Sequence, residues 1–381
     1  MTRPLATLDP LLSLGGIRHG PACPSILDLP HVEIVSRGRA AIALALEASR
    51  IGTGATVLMP AFNCPAMTAG VRAAGAEPRF FAIKENLSID PDAVLRAADA
   101  STRAVLIPHF FAWRQPCSLF ASLAQNTPWL LIEDCAHSFF GVSGGQAPGN
   151  AGHYSVASVA KFFPSRWGGV IASATRELPL QLAQPSSLHQ LKLAANATEE
   201  AARFGRLGVA SAGVRFALDA VTTLRRIGKP RDRGPAPALA AGVDKSYAEV
   251  DIARLHEHGG WWVTRQIADR SGFAQRAARR LEIYRRLRGA LGQLKFASLL
   301  LPERDPDFPP YVFPLLLSDP ARHFQALRAR GVPLFRWEDS IAGTCEITDR
   351  YRLSLVQLPC HDTLTDAEVA AIEKAVRETV G

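Results

Sequence analysis

No stretch of eighteen or more uninterrupted apolar residues occurs in the sequence. A helix needs about 20 such residues to cross a bilayer, so neither a membrane span nor a membrane partner is expected. The N-terminus lacks the basic stretch followed by an apolar core that marks a secretory signal, which predicts that the chain is not exported. Paired cysteines are missing as well. Cys23, Cys64, Cys117, Cys135, Cys345 and Cys360 are scattered without a CxxC spacing. That pattern excludes a disulfide framework, gives no zinc site, and fits a reducing cytoplasm.

The chain has no internal repeat and no nucleic-acid recognition motif, although its net charge is +8 and its pI about 9.4. Its basic residues are interleaved with acids and apolar residues, as in Arg279-Arg280-Leu281-Glu282. Only Arg225–Arg233 is dense, and a solvated loop or a small anion accounts for it as well as a duplex does. No nucleic-acid partner is expected. His256-Glu257-His258 is a poor metal motif, because i and i+2 do not share a helix face. No metal is expected.

What remains is a chain of 381 residues, 48% hydrophobic and 20% charged, the profile of a soluble globular protein. That length suggests two closely packed units. Between about residues 32 and 175, short apolar runs alternate with helical patterns. Thr56–Pro60, Pro78–Ile83, Arg103–Pro108 and Trp129–Glu133 read as strands. Ala66–Ala74 reads as a helix ending at Gly75, and Asp90-Pro91 opens another, with Asp as N-cap. Apolar runs of this kind mark parallel strands buried on both faces, and the alternation specifies an α/β fold with helices on both sides. Residues 176–245 are helical in pattern and Ala-rich, with Lys229–Ala238 as a Pro-rich loop. Residues 274–293 read as a long basic helix. Strands at Tyr311–Leu317 and Leu353–Leu358 with helices at Ala321–Arg330 and Asp366–Arg377 suggest a smaller α+β unit. The predicted division is a large unit over 28–245 and a small one over 246–381, with 1–27 packed against the body.

In open α/β sheets, ligands sit beyond the carboxyl ends of the strands. Phe62-Asn63-Cys64, Pro108-His109 and Asp134 all fall at such ends. Asp134 is either an N-cap or a carboxylate placed to meet a cationic ring nitrogen. Lys161 is a lone lysine in Ser155–Pro164 (SVASVAKFFP). It is either a lysine snorkelling from a strand end or an amine nucleophile whose ammonium form burial disfavours. Ser36–Ala41, followed by a helical run, places the backbone N–H groups of Gly38, Arg39 and Ala40 at a helix start, an arrangement that binds phosphate.

Taken in order, these segments resemble the DegT/DnrJ/EryC1/StrS family of aminotransferases that depend on pyridoxal phosphate. The elements that carry the resemblance are Ile132–His137 (IEDCAH), Ser158–Lys161, Arg166–Gly169 (RWGG), Ile107–Phe111 and Leu358–His361. The resemblance implies fold type I, a mostly parallel central sheet with a smaller C-terminal α+β unit. It makes Lys161 the Schiff-base lysine and proton shuttle, and Asp134 the partner of the pyridine nitrogen. His137 falls beside the ring and its phenolic oxygen, and Gly38, Arg39, Ala40 and Ser158 fall at the phosphate. It implies small-molecule substrates, an amino donor such as glutamate and a keto acceptor such as a nucleotide-activated sugar. It also implies a homodimer. Three positions depart from the family. Arg39 stands where the family has Thr or Ser. Cys64 stands where many members stack an aromatic ring on the cofactor, which leaves that task to Phe62 or His109. No Asn-x-Arg segment is recognisable between 225 and 260. Two other readings stay open. Dehydratases resembling this family replace the lysine by His, which Lys161 argues against, and the fold also serves non-catalytic ligand binding.

Overall fold

The computed structural model describes residues 4–13, 23–214, 254–261, 272–340 and 345–381. The basic cluster Arg225–Arg233, the Pro-rich Lys229–Ala238 and most of the 225–260 window lie outside the described residues. The larger sheet contains β1 (His31–Val35), β2 (Thr56–Pro60), β3 (Glu77–Phe81), β4 (Thr102–Pro108), β5 (Leu130–Asp134), β6 (Tyr154–Ser158) and β7 (Gly169–Ser173). Its order is β1-β7-β6-β5-β4-β2-β3. The strands β3, β2, β4, β5 and β6 run parallel, while β7 lies antiparallel to both β6 and β1.

Of the anticipated strands, the edge strand β3 leaves Glu77 and Arg79 exposed, whereas β2, β4 and β5 form because alternate residues feed two cores. Val57, Met59, Ala104, Leu106 and Ile132 pack on one face, and Leu58, Val105, Ile107 and Leu131 on the other. Burial on both faces is why these runs show no polar alternation. Helices α1 (Gly38–Ala48) and α2 (Pro65–Ala73) cover the first face. Helices α3 (Pro91–Ala97) and α4 (Cys117–Asn126) contribute Val94, Leu119, Phe120 and Leu123 to the second. Gly75, at φ +81°, ends α2 in the left-handed region, and Asp90 caps α3 by accepting from the Asp92 N–H at 3.0 Å. Three strands escape the apolar pattern. In β1 the face is only half-buried, and β6 (YSVAS) and β7 (GVIAS) are rich in Ser, Ala and Gly. Pairing with neighbours, more than intrinsic preference, makes them strands.

Helix α5 (Ser187–Arg203) follows the sheet. The C-terminal part joins α6 (Phe273–Leu291), α7 (Pro320–Ala329), α8 (Glu346–Ser354) and α9 (Asp366–Val380) to a sheet of β8 (Ala297–Leu299), β9 (Val312–Leu317) and β10 (Leu355–Pro359). The strands are antiparallel in the order β10-β9-β8. The last strand starts at Leu355 instead of Leu353, because α8, unanticipated from the sequence, runs to Ser354. One apolar core runs from Leu58 and Ile107 through Val312 and Phe313 to Leu358 and Val376, so the two sheets share an interior.

The N-terminal segment 4–13 is tied to this smaller part. The Leu5 N–H donates to the Gly331 carbonyl at 2.8 Å, His361 Nε2 to the Thr7 carbonyl at 3.1 Å, and the Leu11 N–H to Thr363 Oγ1 at 3.0 Å. No helix of the described residues is long and apolar enough to cross a membrane.

Candidate active site

The order of the sheet places its topological switch at β2 and β4, the strands from which the chain builds outward in opposite directions. A ligand crevice is expected at the carboxyl edge there. Asp134 ends β5 and is buried. One of its oxygens accepts from the Ala136 N–H at 2.8 Å, and the other has no hydrogen-bond partner among the described residues. Burial pushes its carboxyl above the ordinary range, and the charge of Lys161 pulls it back. Lys161 closes the short 3-10 turn Val159–Lys161 that follows β6, the neighbour of β5. Its Nζ lies 5.2 Å from the centre of the Tyr311 ring.

His137 joins this pair. Its Nδ1 accepts from the Phe111 N–H at 3.1 Å, so the proton of the neutral ring sits on Nε2. Burial first, then the charge of Lys161, hold its pKa well below that of a free histidine, so the ring stays neutral. Phe111, Tyr311 and Trp337 surround it, with ring centres 5.4, 5.2 and 5.6 Å away. Phe111 and Ala112 take left-handed backbone angles, φ +51° and +71°. Each such residue costs on the order of 1–3 kcal/mol and persists only where its surroundings enforce it. Here the Phe111 N–H bonds His137, and the Ala112 carbonyl accepts from the Phe308 N–H at 3.1 Å.

The glycines of the other candidate segment mark a close approach. A Cβ on Gly38 would meet the Ala157 carbonyl and the Ser158 Cβ at 3.3 Å. A Cβ on Gly169 would lie 2.3 Å from the Arg37 carbonyl and 2.5 Å from the Gly38 nitrogen. Gly168, at φ +113°, donates to the Ser36 carbonyl at 2.6 Å. The start of α1 is therefore pressed against the end of β6. Arg39 and Ala40 are buried in its first turn, 7% and 2% exposed, and first-turn amides have no acceptor within the helix.

Other candidates turn out to be structural. His109 Nδ1 accepts from the Gln115 N–H at 3.1 Å, and its Nε2 lies 2.7 Å from Glu133 Oε1. Phe62 is fully buried among Phe110, Trp337 and Tyr351, with ring centres 6.0, 4.9 and 5.9 Å away. Neither ring has a face left for a cofactor, which corrects the expectation that one replaces the aromatic absent at Cys64. Cys64 itself is partly buried at the N-cap of α2. The Asn63 amide is engaged with the Pro60 and Ala61 carbonyls. In 256–258, His256 Nε2 lies 3.4 Å from Glu47, and Glu257 pairs with Arg254 at 3.3 Å.

Two residues that the sequence did not single out shape the site. Glu133 accepts backbone N–H groups from Gly149, Ala151 and Gly152 at 2.9, 2.6 and 3.2 Å. Burial opposes its charge, but His109 and these amides bring its pKa down to about 2. Donor atoms of His109, Glu133 and Cys135 lie within 4.8 Å of one another, close enough to suggest a metal site. Those of Glu133 and His109 are engaged in protein hydrogen bonds, and burial keeps the Cys135 thiol protonated. Arg280 is fully buried. Its guanidinium donates to the Phe162 carbonyl at 3.2 Å, the Pro310 carbonyl at 3.1 Å and Asp362 at 3.0 Å. It thereby grips the residues next to Lys161 and Tyr311. A cue for Glu133 was present, two adjacent acids in an apolar strand, whereas Arg280 looks like any other base of a basic helix.

Residues 25–178 match the model of the DegT/DnrJ/EryC1/StrS aminotransferase family. An L-glutamine:2-deoxy-scyllo-inosose aminotransferase of Streptomyces kanamyceticus is 31% identical over 149 residues, 38% of this chain and 35% of that protein. A UDP-N-acetyl-3-dehydro-alpha-D-glucosamine 3-aminotransferase of Acidithiobacillus ferrooxidans is 30% identical over 176 residues, 44% of each chain. The chain thus matches these curated relatives over less than half their length. S. venezuelae DesV, solved in complex with a ketimine intermediate, superposes with a TM-score of 0.63 at 18% identity, covering 93% of this chain and 85% of that one. That likeness extends the fold over nearly the whole molecule. Over its residues 25–178, this chain is similar to the DegT/DnrJ/EryC1/StrS aminotransferase family.

Proposed function

We propose that the protein is an aminotransferase dependent on pyridoxal phosphate, moving an amino group from an amino-acid donor to the keto group of a sugar or cyclitol. The observation that carries this reading is the convergence of Asp134, His137 and Lys161 at the ends of adjacent strands. Asp134 offers a buried carboxylate with one uncommitted oxygen, a fit for a protonated pyridine nitrogen. His137 offers an Nε2–H, a fit for a phenolic oxygen. The first turn of α1, closed in by Gly38, Ser158 and Gly169, fits a phosphate. Arg39 and Ala40 belong to that turn, and Cys64, the remaining candidate for the cofactor, stands at the N-cap of α2.

When bound, pyridoxal phosphate supplies an aldehyde for an amine and an electron-poor ring that accepts an electron pair from the substrate carbon. The chain supplies the rest. Asp134 keeps the ring nitrogen protonated by charge attraction in a poorly solvated site. Lys161 would hold the cofactor through Nζ, and as a free amine the same nitrogen would take up and return the proton of the substrate carbon. L-Glutamine is the favoured donor, since the relatives' names specify it, with L-glutamate the alternative. The same reading divides the chain into a cofactor-binding unit over 28–245 and a smaller one over 246–381, and makes it a cytoplasmic homodimer.

The test is to add pyridoxal phosphate to purified protein and follow the visible band. Borohydride should then fix the pyridoxyl group on Lys161, and Lys161→Ala should lose the band. A label mapped to another lysine, or no band at all, overturns the reading.

A further inference from the structure

Asp9 lies in the N-terminal segment that the smaller unit holds by hydrogen bonds at Leu5, Thr7 and Leu11. The Tyr311 hydroxyl donates to its Oδ1 at 3.3 Å, its sole hydrogen-bond partner through the side chain among the described residues. The same Tyr311 ring lies 5.2 Å from Lys161 Nζ and packs against His137. The N-terminal segment thus brings a carboxylate up to the far end of the tyrosine ring that neighbours Lys161, with most of its accepting capacity unfilled. The charged groups around it are Glu200 on α5, Arg166 before β7, and Lys161. Arg166 is itself paired with Glu200 at 3.2 Å. Burial, reinforced by Glu200, raises the Asp9 carboxyl to about 6. Near neutral pH it can therefore be found in either protonation state.

We propose that Asp9 is a substrate-contact residue whose carboxyl group bonds the hydroxyl groups of the molecule that reacts at Lys161. Arg166 and Lys161 already supply positive charge around it, and the carboxylate of an amino donor would be repelled by Asp9 and Glu200 together. A neutral polyhydroxylated ring suits a carboxyl group that accepts when ionised and also donates when protonated. The ligand class is a hydroxylated cyclic ketone, or the amine formed from it. The proposal rests on the aminotransferase reading and adds the residue that recognises the acceptor.

The experiment uses protein loaded with pyridoxal phosphate, titrated with D-glucosamine and with cyclohexylamine while the visible band is followed. Wild type should prefer D-glucosamine. Asp9→Ala should weaken D-glucosamine about ten-fold or more, the scale of a lost hydrogen bond to a charged group, and leave cyclohexylamine within about two-fold. The isosteric Asp9→Asn should show the same selective loss, and it decides the matter if Asp9→Ala does not fold. Equal losses for both amines, no loss for either, or no preference in wild type each overturn the proposal while leaving the aminotransferase reading intact. Absence of the band in wild type overturns that reading first and the proposal with it.

Discussion

At Glu133 a buried carboxylate is surrounded by donors, and the consequence is a pH dependence of known sign. Its pKa falls from an ordinary 4.5 to about 2 in the folded protein. A depressed carboxyl stabilises the fold fully above the unfolded pKa and loses that contribution as pH drops through the folded one. The difference amounts to about 3 kcal/mol. Between pH 5 and pH 2 the wild-type stability should therefore fall more steeply than that of Glu133→Gln, by about that amount. Urea melts at successive pH values measure it, and parallel curves would show that Glu133 is not the residue responsible. The contrast with its neighbour is instructive. Asp134, on the opposite face of the same strand, receives one amide N–H and is raised, not lowered. Two adjacent acids are thus assigned opposite roles, one completing the scaffold and the other left incomplete where a ligand would sit.

The elements show the same division between parts of the molecule that tolerate change and parts that do not. Gly169 begins β7 directly against the Arg37–Gly38 peptide, so Gly169→Ala must push backbone aside, at about 1–3 kcal/mol. It should also weaken pyridoxal phosphate binding, because α1 moves with that peptide. Gly289 lies within α6 with nothing within 4 Å of its Cβ position. There Gly289→Ala should stabilise by about 0.5–1 kcal/mol, the helix-propensity gain. Thermal melts of the two variants should shift in opposite directions. Much of this layout was legible beforehand. The four apolar strands, the Asp90 cap, the Gly75 stop and the lone Lys161 each follow from local chemistry. The strands β1, β6 and β7 were not legible, since Ser, Ala and Gly carry no strand signal and only their neighbours settle their conformation. Nor was the fate of His109, which looked like a ring for a cofactor. Its partner Glu133 is 24 residues away in sequence, and only the parallel pairing of β4 with β5 brings the two together.

For the whole molecule, the buried core common to both sheets predicts cooperative behaviour across the proposed 245/246 division. Calorimetry should show one transition for the full chain, and two resolved transitions would mean that the units are thermodynamically separate. Arg280 is the polar part of that coupling. It reaches from α6 to carbonyls beside Lys161 and Tyr311, while Asp362 balances its charge. Breaking such a network by truncating one partner costs about 3–5 kcal/mol, so Arg280→Met should lower the melting temperature and loosen the Lys161 turn together. The same clamp has a consequence for a chain cut in two. A fragment ending before α6 would carry Lys161 and the Phe162 carbonyl without their guanidinium, and the remaining fragment would carry the guanidinium with two acceptors left, Asp362 and the Pro310 carbonyl. Each piece would hold half of one interlock, so the halves, produced separately, should complement each other and reassemble into the whole.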